Sequence, residues 1–265
     1  MTVQTNKSKL ALVVTLMFAF LTASASYGVM DFSQQAEQET DPLKKKPNIV
    51  FLVTADTLNY EASKTIPLFA KMLEKEHGYK VKVILGSGKH GSYRYPGLKE
   101  LSKADLLVIF VRRIALPPEQ MNAIKNYINR GKPLIGIRTA NHAFNVSGKV
   151  EDGFEHWPEF VADILGCENR GYGSAELGAD ISVIPEAADH PILQNIQTQQ
   201  WHSKGQLYYV APLLDKSATV LLEGKMSGKT EPVAWTRTTG KGKVFYTSLG
   251  HPADFQTPQF TTLFV

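Results

Sequence analysis

Four short, continuous apolar runs divide the first half of the chain. They occupy residues 48–54, 81–85, 106–111 and 133–137. An apolar run of this length is typical of a strand that is buried on both faces, as in a parallel sheet. Between the first two runs, apolar residues recur at spacings of three and four, which predicts an amphipathic helix. The residues of this stripe are Ile66, Phe69, Ala70 and Leu73.

A second helix is predicted between the third and the fourth run. It opens at Pro117-Pro118-Glu119, because Pro is tolerated and Glu is favoured in a first helical turn. Its apolar stripe consists of Met121, Ile124 and Ile128, and Gly131 follows it. The order of strands and helices predicts an α/β fold with a doubly wound, mostly parallel sheet and right-handed crossovers. Such folds bind ligands beyond the carboxyl ends of the strands, so polar residues that follow the apolar runs are candidates for a site.

The second half of the chain is a mixture of strands and helices. Residues 181–184 and 219–222 are predicted strands, and an apolar stripe over residues 154–165 predicts a helix. A β-hairpin is predicted within residues 232–249, where two strand-like segments flank a glycine-containing loop. The chain stops inside a helix that begins near Pro258, so we expect the domain to be truncated at its C-terminus.

The N-terminal residues have the pattern of a secretory signal peptide. Lys7 and Lys9 precede an apolar run over residues 10–21, and Ala23-Ser24-Ala25 follows it. The run is shorter than the ~20 residues that a membrane-spanning helix needs, although an uncleaved anchor is the alternative. We expect a periplasmic or secreted protein with no stable membrane insertion after cleavage. The expected divisions are a signal peptide at 1–25, a flexible leader at 26–46 and a domain at 47–265.

Composition and charge exclude several classes of protein. Hydrophobic residues make up 43% of the chain and charged residues 20%, which is too apolar for a disordered protein. The net charge of +4 comes without a long basic run, so nucleic acid is not expected as a partner. The single cysteine, Cys167, excludes an internal disulfide and a cysteine-based metal cluster. The oligomeric state stays open.

Two motifs carry a resemblance to a known family. The first is GIRTANHAF at residues 136–144, directly after the fourth apolar run. The second consists of EPVAWTR at residues 231–237 and GKGKVFYTSLGHPADF at residues 240–255. The segments at 190–192 and 201–208 also fit. With these motifs, almost the whole expected domain resembles the ThuA-like family, which is named for trehalose utilisation.

The resemblance implies a class I glutamine amidotransferase-like fold of the flavodoxin type and a role in sugar metabolism. Relatives are linked to trehalose and to 3-keto-glycosides. Glutamine amidotransferases carry a nucleophilic cysteine in the turn after this strand, whereas Arg138 occupies that position here. Because Cys167 lies far from this turn in sequence, we expect no glutaminase activity. Relatives often carry a histidine in the region of residues 167–173, and this chain has none there.

Three histidines lie in the family-like motifs, namely His142, His202 and His251. The glycine before His251 and the proline after it restrict the backbone and so help to fix the side chain. A neutral imidazole near pH 7 can accept a proton, so His142 and His251 are the candidate acid–base residues for proton abstraction next to a sugar ketone. Arg138 is the candidate for stabilising the developing oxyanion, with Arg112 or Lys204 as alternatives.

The candidates for substrate binding are polar or aromatic residues in the same loops. Sugar hydroxyls bind planar polar groups, and sugar C–H faces stack on aromatic rings. The candidates are Asp56, Arg112, Trp201, His202, Lys204, Tyr208 and Asp254. A divalent metal such as Zn²⁺, held by His142, His202 and His251, is an alternative, but no histidine pair has the HExxH spacing of helical zinc sites.

The leading interpretation is an exported ThuA-like protein of sugar metabolism that acts on a small-molecule carbohydrate. It would be a sugar isomerase, lyase or hydrolase that uses histidine acid–base chemistry without a cysteine nucleophile. A non-catalytic carbohydrate-binding module on the same fold is the alternative. A cysteine-independent amidohydrolase or esterase is disfavoured, because the chain lacks a Gly-x-Ser-x-Gly elbow.

Overall fold

The computed structural model describes residues 46–265. The predicted signal peptide at 1–25 lies outside the described residues, and so does the predicted leader apart from its last residue. In the described part, strands and helices alternate with short 3₁₀ turns. In chain order they are β1 (Asn48–Val53), α1 (Ala62–His77), β2 (Lys80–Leu85), β3 (Ser87–Lys89), β4 (Ser92–Arg94), β5 (Leu106–Phe110), α2 (Pro118–Asn129), β6 (Leu134–Ile137), β7 (Ala179–Val183), β8 (Gln200–Ser203), β9 (Thr219–Met226), β10 (Lys229–Thr239), β11 (Gly242–Thr247) and α3 (Pro258–Thr261).

Nine of these strands form one sheet in the order β2-β1-β5-β6-β11-β10-β9-β7-β8. The strands from β2 to β11 in this order pair in parallel. The remaining four strands, β10, β9, β7 and β8, extend the sheet with antiparallel pairings. The prediction of an α/β fold is therefore confirmed, with a doubly wound parallel core and a hairpin of β10 and β11 in the C-terminal half.

The continuous apolar runs reflect burial of the sheet on both faces. Side chains alternate along a strand, so Val50 and Leu52 of β1 pack into one apolar cluster together with α2. Ile49 and Phe51 pack into a second cluster on the opposite face, together with α1 and α3. Each face of β1 is nearly closed to solvent, which explains why the sequence shows no polar alternation in these strands.

Residues 154–165, which we predicted to form a helix, fold instead into turns that end in the single π-helical turn Val161–Leu165. Pro158 has no N–H for a helical hydrogen bond, and Gly166 ends the turn in the left-handed region with a φ of 75°. The segments of β3, β4 and β8 carry no continuous apolar run, so the sequence predicts no strand there. Within residues 46–265, no helix has both the length and the hydrophobicity needed to cross a membrane.

Trp235 of β10 links the antiparallel half of the sheet to this π-helical turn. Its side chain is fully buried, and the indole Nε1 donates a hydrogen bond of 2.8 Å to the carbonyl oxygen of Leu165. The ring also packs against Tyr246 of β11, with 4.6 Å between the ring centroids. The indole thus satisfies a backbone acceptor that the short turn leaves without an intrahelical partner.

Trp235→Phe removes the indole N–H and leaves the Leu165 carbonyl oxygen buried without its donor. We expect the free energy of unfolding, measured by urea denaturation, to fall by about 2 kcal/mol. Trp157→Phe is the matched control, because Trp157 is only partly buried and its indole donates no hydrogen bond within residues 46–265. Its effect should stay below about 1 kcal/mol. Equal losses in the two variants would contradict the assigned role of the indole hydrogen bond.

Candidate functional site

Three strands of the parallel core end at one edge of the sheet, and the residues that follow them meet there. β1 leads to Tyr60, β5 leads to Arg113 and β6 leads to Arg138, with φ angles of 51°, 49° and 47°. A non-glycine residue in this left-handed region costs roughly 1–2 kcal/mol. Backbone strain of this kind persists where the surrounding structure compensates for it, and it clusters at functional sites. The carboxyl edge of the parallel core is therefore the candidate site.

Arg138 lies at the centre of this edge and is 1% exposed. The carbon of its guanidinium is 4.0 Å from the ring centroid of Tyr60 and 4.7 Å from that of Tyr208. Its Nη1 donates a hydrogen bond of 2.6 Å to the carbonyl oxygen of Ser248, and its Nη2 donates one of 3.4 Å to that of Gln206. The guanidinium thus ties together the segments that follow β1, β6, β8 and β11.

This burial changes the role expected for Arg138. We predicted that Arg138 stabilises an oxyanion on the substrate, but tyrosine rings flank its guanidinium and solvent does not reach it. Tyr208 in turn lies 6.4 Å from the ring of His142, and Tyr60 lies 6.3 Å from the ring of His251. Arg138 is therefore a positioning residue that holds these two rings next to the two histidines.

His142 ends the 3₁₀ turn Arg138–His142 and is 5% exposed. Its Nδ1 lies 2.6 Å from Oδ1 of Asn141 and 3.0 Å from Nδ2 of Asn169. The two hydrogens of Asn169 Nδ2 are donated to Oδ1 of Asn141 and to the hydroxyl of Tyr172. The 2.6 Å contact therefore assigns the ring proton to Nδ1, because two acceptors at this distance need a proton between them. Nε2 then carries the lone pair, and it has no hydrogen-bond partner among residues 46–265.

The pKa of His142 is lowered from 6.5 to about 3. Burial is the largest cause, because it disfavours the charged imidazolium. The positive charges of Arg113, Arg112 and Arg138 lower the pKa further. His142 is therefore neutral at physiological pH, but it is a weaker base than the histidine near pH 7 that we expected.

The ring of His142 forms part of the wall of a cleft of about 360 Å³. This volume falls within the ~300–1,000 Å³ of small-molecule sites. Tyr172, which lines the cleft, is 38% exposed and packs edge-on against Tyr208 at 4.7 Å between ring centroids. The polar and aromatic residues that line the cleft with His142 are Arg113, Asn141, Asn145, Glu168, Asn169 and Tyr172.

His251 lies beyond Tyr60 and does not line this cleft. Its Nδ1 accepts a hydrogen bond of 3.1 Å from the backbone N–H of Ala253, which places the ring proton on Nε2. Its pKa is lowered, mainly by burial. The two candidate acid–base histidines therefore contact opposite ends of the Tyr60–Arg138–Tyr208 stack and do not share one cleft wall.

Asp254 holds the turn that carries His251. Its Oδ2 accepts the backbone N–H groups of Gly250 and His251 at 2.8 and 2.9 Å, and its Oδ1 accepts the hydroxyl of Ser203 at 2.8 Å. The carboxylate is 4% exposed. Gly250 has a φ of 120°, the unusual backbone geometry that the glycine before His251 predicts. Asp254 is occupied by the protein itself and does not face the cleft of His142.

Asp56 and Arg112 form a second polar cluster at the same edge. Asp56 Oδ2 accepts a hydrogen bond of 2.7 Å from Arg112 Nη1 and lies 3.0 Å from His90 Nε2. Burial alone would raise the pKa of Asp56, but the backbone N–H of Leu58, with Arg112 and His90, brings it below its ordinary value. Asp56 and His90 line a neighbouring cleft of about 400 Å³ with Tyr93.

The other predicted substrate-binding residues are distributed unevenly. Tyr208 belongs to the site, whereas His202 and Trp201 lie on β8, the edge strand of the antiparallel half. His202 is exposed, and its Nδ1 lies 2.8 Å from Oδ1 of Asp180 on the neighbouring strand. Lys204 is exposed in the segment that follows β8.

The three histidines do not converge. His202 pairs with Asp180 on the edge strands, and neither His202 nor His251 lines the cleft of His142, so the structure does not form the predicted three-histidine zinc site. Within residues 46–265, no group of three or more His, Cys, Asp or Glu side chains is placed to hold a metal ion.

Cys167 is a lining residue of the His142 cleft, but its side chain is closed to solvent. Burial raises the pKa of its thiol to about 12. A thiol with this pKa is protonated near neutral pH, whereas nucleophilic cysteines need the thiolate. Cys167 is a packing residue, and the turn at Arg138 carries no nucleophile.

Sequence reasoning missed three residues of the site, namely Tyr60, Asn169 and Tyr172. Arg113 follows Arg112 directly after an apolar run, so the strand-end rule includes it, although it is not among the chosen substrate-binding candidates. Asn169 and Tyr172 lie within residues 167–173, the segment in which the family resemblance shows a departure. The local sequence does not indicate that Tyr60 belongs to the site, because its contact with Arg138 depends on a left-handed turn that the residue types do not predict.

Arg138→Ala removes the guanidinium but keeps a β-carbon in the left-handed conformation. We expect the free energy of unfolding to fall by about 3 kcal/mol or more, because two carbonyl oxygens lose their donor and two tyrosine rings lose their partner. Arg138→Gly should be less destabilised than Arg138→Ala by about 1 kcal/mol, since glycine adopts this φ without strain. Urea denaturation of both variants measures the difference. An Arg138→Ala protein as stable as the wild type would contradict the central role of this side chain.

The lowered pKa of His142 makes stability depend on pH in a defined direction. The unfolded chain binds the proton near pH 6.5, whereas the folded chain resists it down to about pH 3. The contribution of His142 to the free energy of unfolding is therefore fully present above pH 6.5. It decreases as the pH falls below 6.5, by at most about 1.4 kcal/mol per pH unit. We expect His142→Gln to lose less stability than the wild type between pH 6 and pH 4, as measured by urea denaturation. The same slope in both proteins would show that His142 does not resist protonation.

Comparisons with known proteins agree with this architecture. A family model described as ThuA, trehalose utilisation, matches residues 28–265. A ThuA-like protein from Bacteroides uniformis is similar in structure, with a TM-score of 0.59 at 16% identity over 83% of this chain and 89% of that chain. A ThuA-like protein from Parabacteroides merdae has a TM-score of 0.60 at 16% identity over 83% of this chain and 87% of that chain.

The cytoplasmic protein STM1381 from Salmonella typhimurium is also similar, with a TM-score of 0.53 at 14% identity over 82% of this chain and 96% of that chain. No curated protein matches the sequence. At these identities the structural likeness shows the fold alone, an α/β fold with a mixed sheet. The family model covers most of the sequence, and on that ground the chain belongs to the ThuA family, whose description connects it with sugar metabolism.

Proposed function

We propose that this chain is an exported protein of sugar metabolism that acts on a sugar or an oxidised (3-keto) glycoside in the cleft at His142. The observation that supports this proposal is the neutral imidazole of His142, which lines a polar cleft and whose Nε2 has no hydrogen-bond partner in the described part of the chain. Family membership supports a sugar as the ligand. Asparagine amides and the exposed ring of Tyr172 suit sugar hydroxyls and a sugar C–H face.

Proton abstraction next to a ketone is the reaction that suits these residues. The proton on carbon 2 moves to Nε2 of His142, and the electron pair of the broken C–H bond forms an enolate with the carbon-3 carbonyl. Arg113, which lines the cleft, supplies positive charge for the enolate oxygen. The negative charge that develops on the substrate offsets the arginines that depress the pKa of His142, so the imidazole becomes more basic as the proton is transferred.

Export is the second part of the proposal. The lysines, apolar run and Ala-Ser-Ala segment of residues 1–25 have the order of a cleavable signal peptide. The family match begins at residue 28, after the expected cleavage position. A periplasmic or secreted location follows from this reading, and secretion of the full chain with loss of residues 1–25, determined by mass spectrometry, tests it.

A non-catalytic carbohydrate-binding module is the second candidate. The pKa of about 3 favours it, because a base this weak in the free protein removes a carbon-bound proton slowly. In this reading His142 and the asparagines bind hydroxyl groups, and the sugar leaves unchanged. The two functions share the cleft and differ in whether a C–H bond of the sugar breaks.

Incubation of the purified protein with a 3-keto-glucoside in D₂O separates the two functions. Proton abstraction replaces the hydrogen at carbon 2 with deuterium, which NMR detects. We expect His142→Gln to reduce the exchange rate by about 10²-fold or more. His77→Gln is the matched control, because His77 ends α1 away from the cleft, and it should exchange at the wild-type rate.

Three results carry distinct conclusions. Saturable binding without exchange supports the binding module and overturns the catalytic role of His142. Equal exchange rates for His142→Gln and the wild type show that a residue other than His142 removes the proton. Absence of both binding and exchange overturns the assignment of this cleft to oxidised sugars.

A further inference from the structure

The cleft at His142 contains strong hydrogen-bond donors that the protein does not fully satisfy. Arg113 lines the cleft, and its Nη1 donates a hydrogen bond of 2.7 Å to the hydroxyl of Ser147. Among residues 46–265 its guanidinium has no carboxylate within ion-pair distance, although it has five N–H groups to donate. The backbone of Arg113 adopts a strained, left-handed conformation. Backbone strain of this kind has a free-energy cost and clusters at functional sites.

Asn141 provides a second donor without an acceptor. The backbone N–H of Gly171 donates to Oδ1 of Asn169 over 3.1 Å, which fixes the amide of Asn169 with its Nδ2 towards Asn141 and His142. The atom of Asn141 that faces this donor is therefore its Oδ1. Its Nδ2 lies on the other side of the amide, buried and without a hydrogen-bond partner, although Asn141 lines the cleft.

The nearby carboxylates do not neutralise Arg113. Asp56 pairs with Arg112 at 2.7 Å, and Glu168, which also lines the cleft, pairs with Arg170 at 2.8 Å. The positive charge of Arg113 is one of the causes that lower the pKa of His142. In the part of the chain that the structure describes, the cleft thus combines a guanidinium that has no carboxylate partner with a buried amide donor that has no acceptor.

We infer that the sugar bound in this cleft carries a carboxylate, as a uronic or aldonic acid does. The carboxylate accepts hydrogen bonds from Arg113, and a neutral hydroxyl donates to Nε2 of His142. This inference rests on the proposed sugar-binding function and narrows the substrate class from neutral sugars to acidic ones. Planar guanidinium groups are suited to carboxylates because two parallel N–H groups match the two oxygens.

Isothermal titration calorimetry of the purified full chain with D-glucuronate, its uncharged methyl ester and D-glucose tests the inference. We expect glucuronate to bind at least about tenfold more tightly than the methyl ester or glucose, because a charge-assisted contact is roughly twice as strong as a neutral one. Equal affinities for glucuronate and its methyl ester would overturn the carboxylate assignment.

Arg113→Gln should abolish this preference, so that glucuronate binds no more tightly than its methyl ester or glucose. Arg130→Gln is the matched control for loss of one positive charge, because Arg130 is exposed after α2, at the opposite edge of the sheet. If both variants weaken glucuronate binding equally, the preference arises from net charge and the inference fails.

If inorganic phosphate displaces glucuronate at a much lower concentration than acetate does, the cleft is a phosphate site and the carboxylate assignment is wrong.

The experiments distinguish failure of the acidic-ligand inference from failure of the proposed function. Deuterium exchange into a neutral 3-keto-glucoside, without inhibition by glucuronate, overturns the acidic substrate class and leaves the catalytic proposal intact. Glucuronate binding that depends on Arg113, without exchange into any keto-glycoside, supports the acidic ligand and overturns the catalytic proposal.

Discussion

The packing of Arg138 between two tyrosine rings is the interaction on which the site depends. A buried guanidinium loses its hydration, and the residue also adopts a strained φ of 47°. Cation–π contacts with Tyr60 and Tyr208 and hydrogen bonds to two backbone carbonyl oxygens offset these costs. The tyrosyl hydroxyl of Tyr246 also donates to the carbonyl oxygen of Arg138 itself over 2.8 Å. Because segments distant in sequence meet at this one side chain, the position of His142 depends on contacts from both halves of the sheet.

The left-handed turn at Arg138 also explains how this chain has the fold without a nucleophilic cysteine in the turn after β6. A sharp left-handed turn at a strand end exposes a nucleophile when its side chain points out of the sheet. Here the turn instead directs a long cation inward, where it anchors the site. The reactive candidate moves to His142, at the end of the short 3₁₀ turn that follows. Cys167 does not replace the missing nucleophile, because burial keeps its thiol protonated.

The fold could be predicted in large part because burial on both faces leaves a strong local signal, the continuous apolar run. Strand ends then indicated Asp56, Arg112, Arg138 and His142, since parallel strands present their carboxyl ends at one edge. The sequence does not show where each side chain points. His202 lies in a family-like motif, but side chains alternate along β8, and at this position the ring faces Asp180. Asn169 and Tyr172 reach the site through an irregular loop whose path depends on tertiary contacts.

The electrostatics of His142 and Arg113 link the two proposals. Burial, together with the positive charges of Arg113, Arg112 and Arg138, keeps the imidazole of His142 neutral and weakly basic. A carboxylate bound to Arg113 offsets the charge of that one arginine, and this offset raises the pKa of His142 when the acidic sugar binds. Linkage requires the reverse effect as well, so protonation of His142 strengthens the binding of the anion by the same factor. An acidic sugar would therefore raise the basicity of His142 before proton transfer begins, whereas a neutral sugar would raise it only through the charge that develops during the transfer.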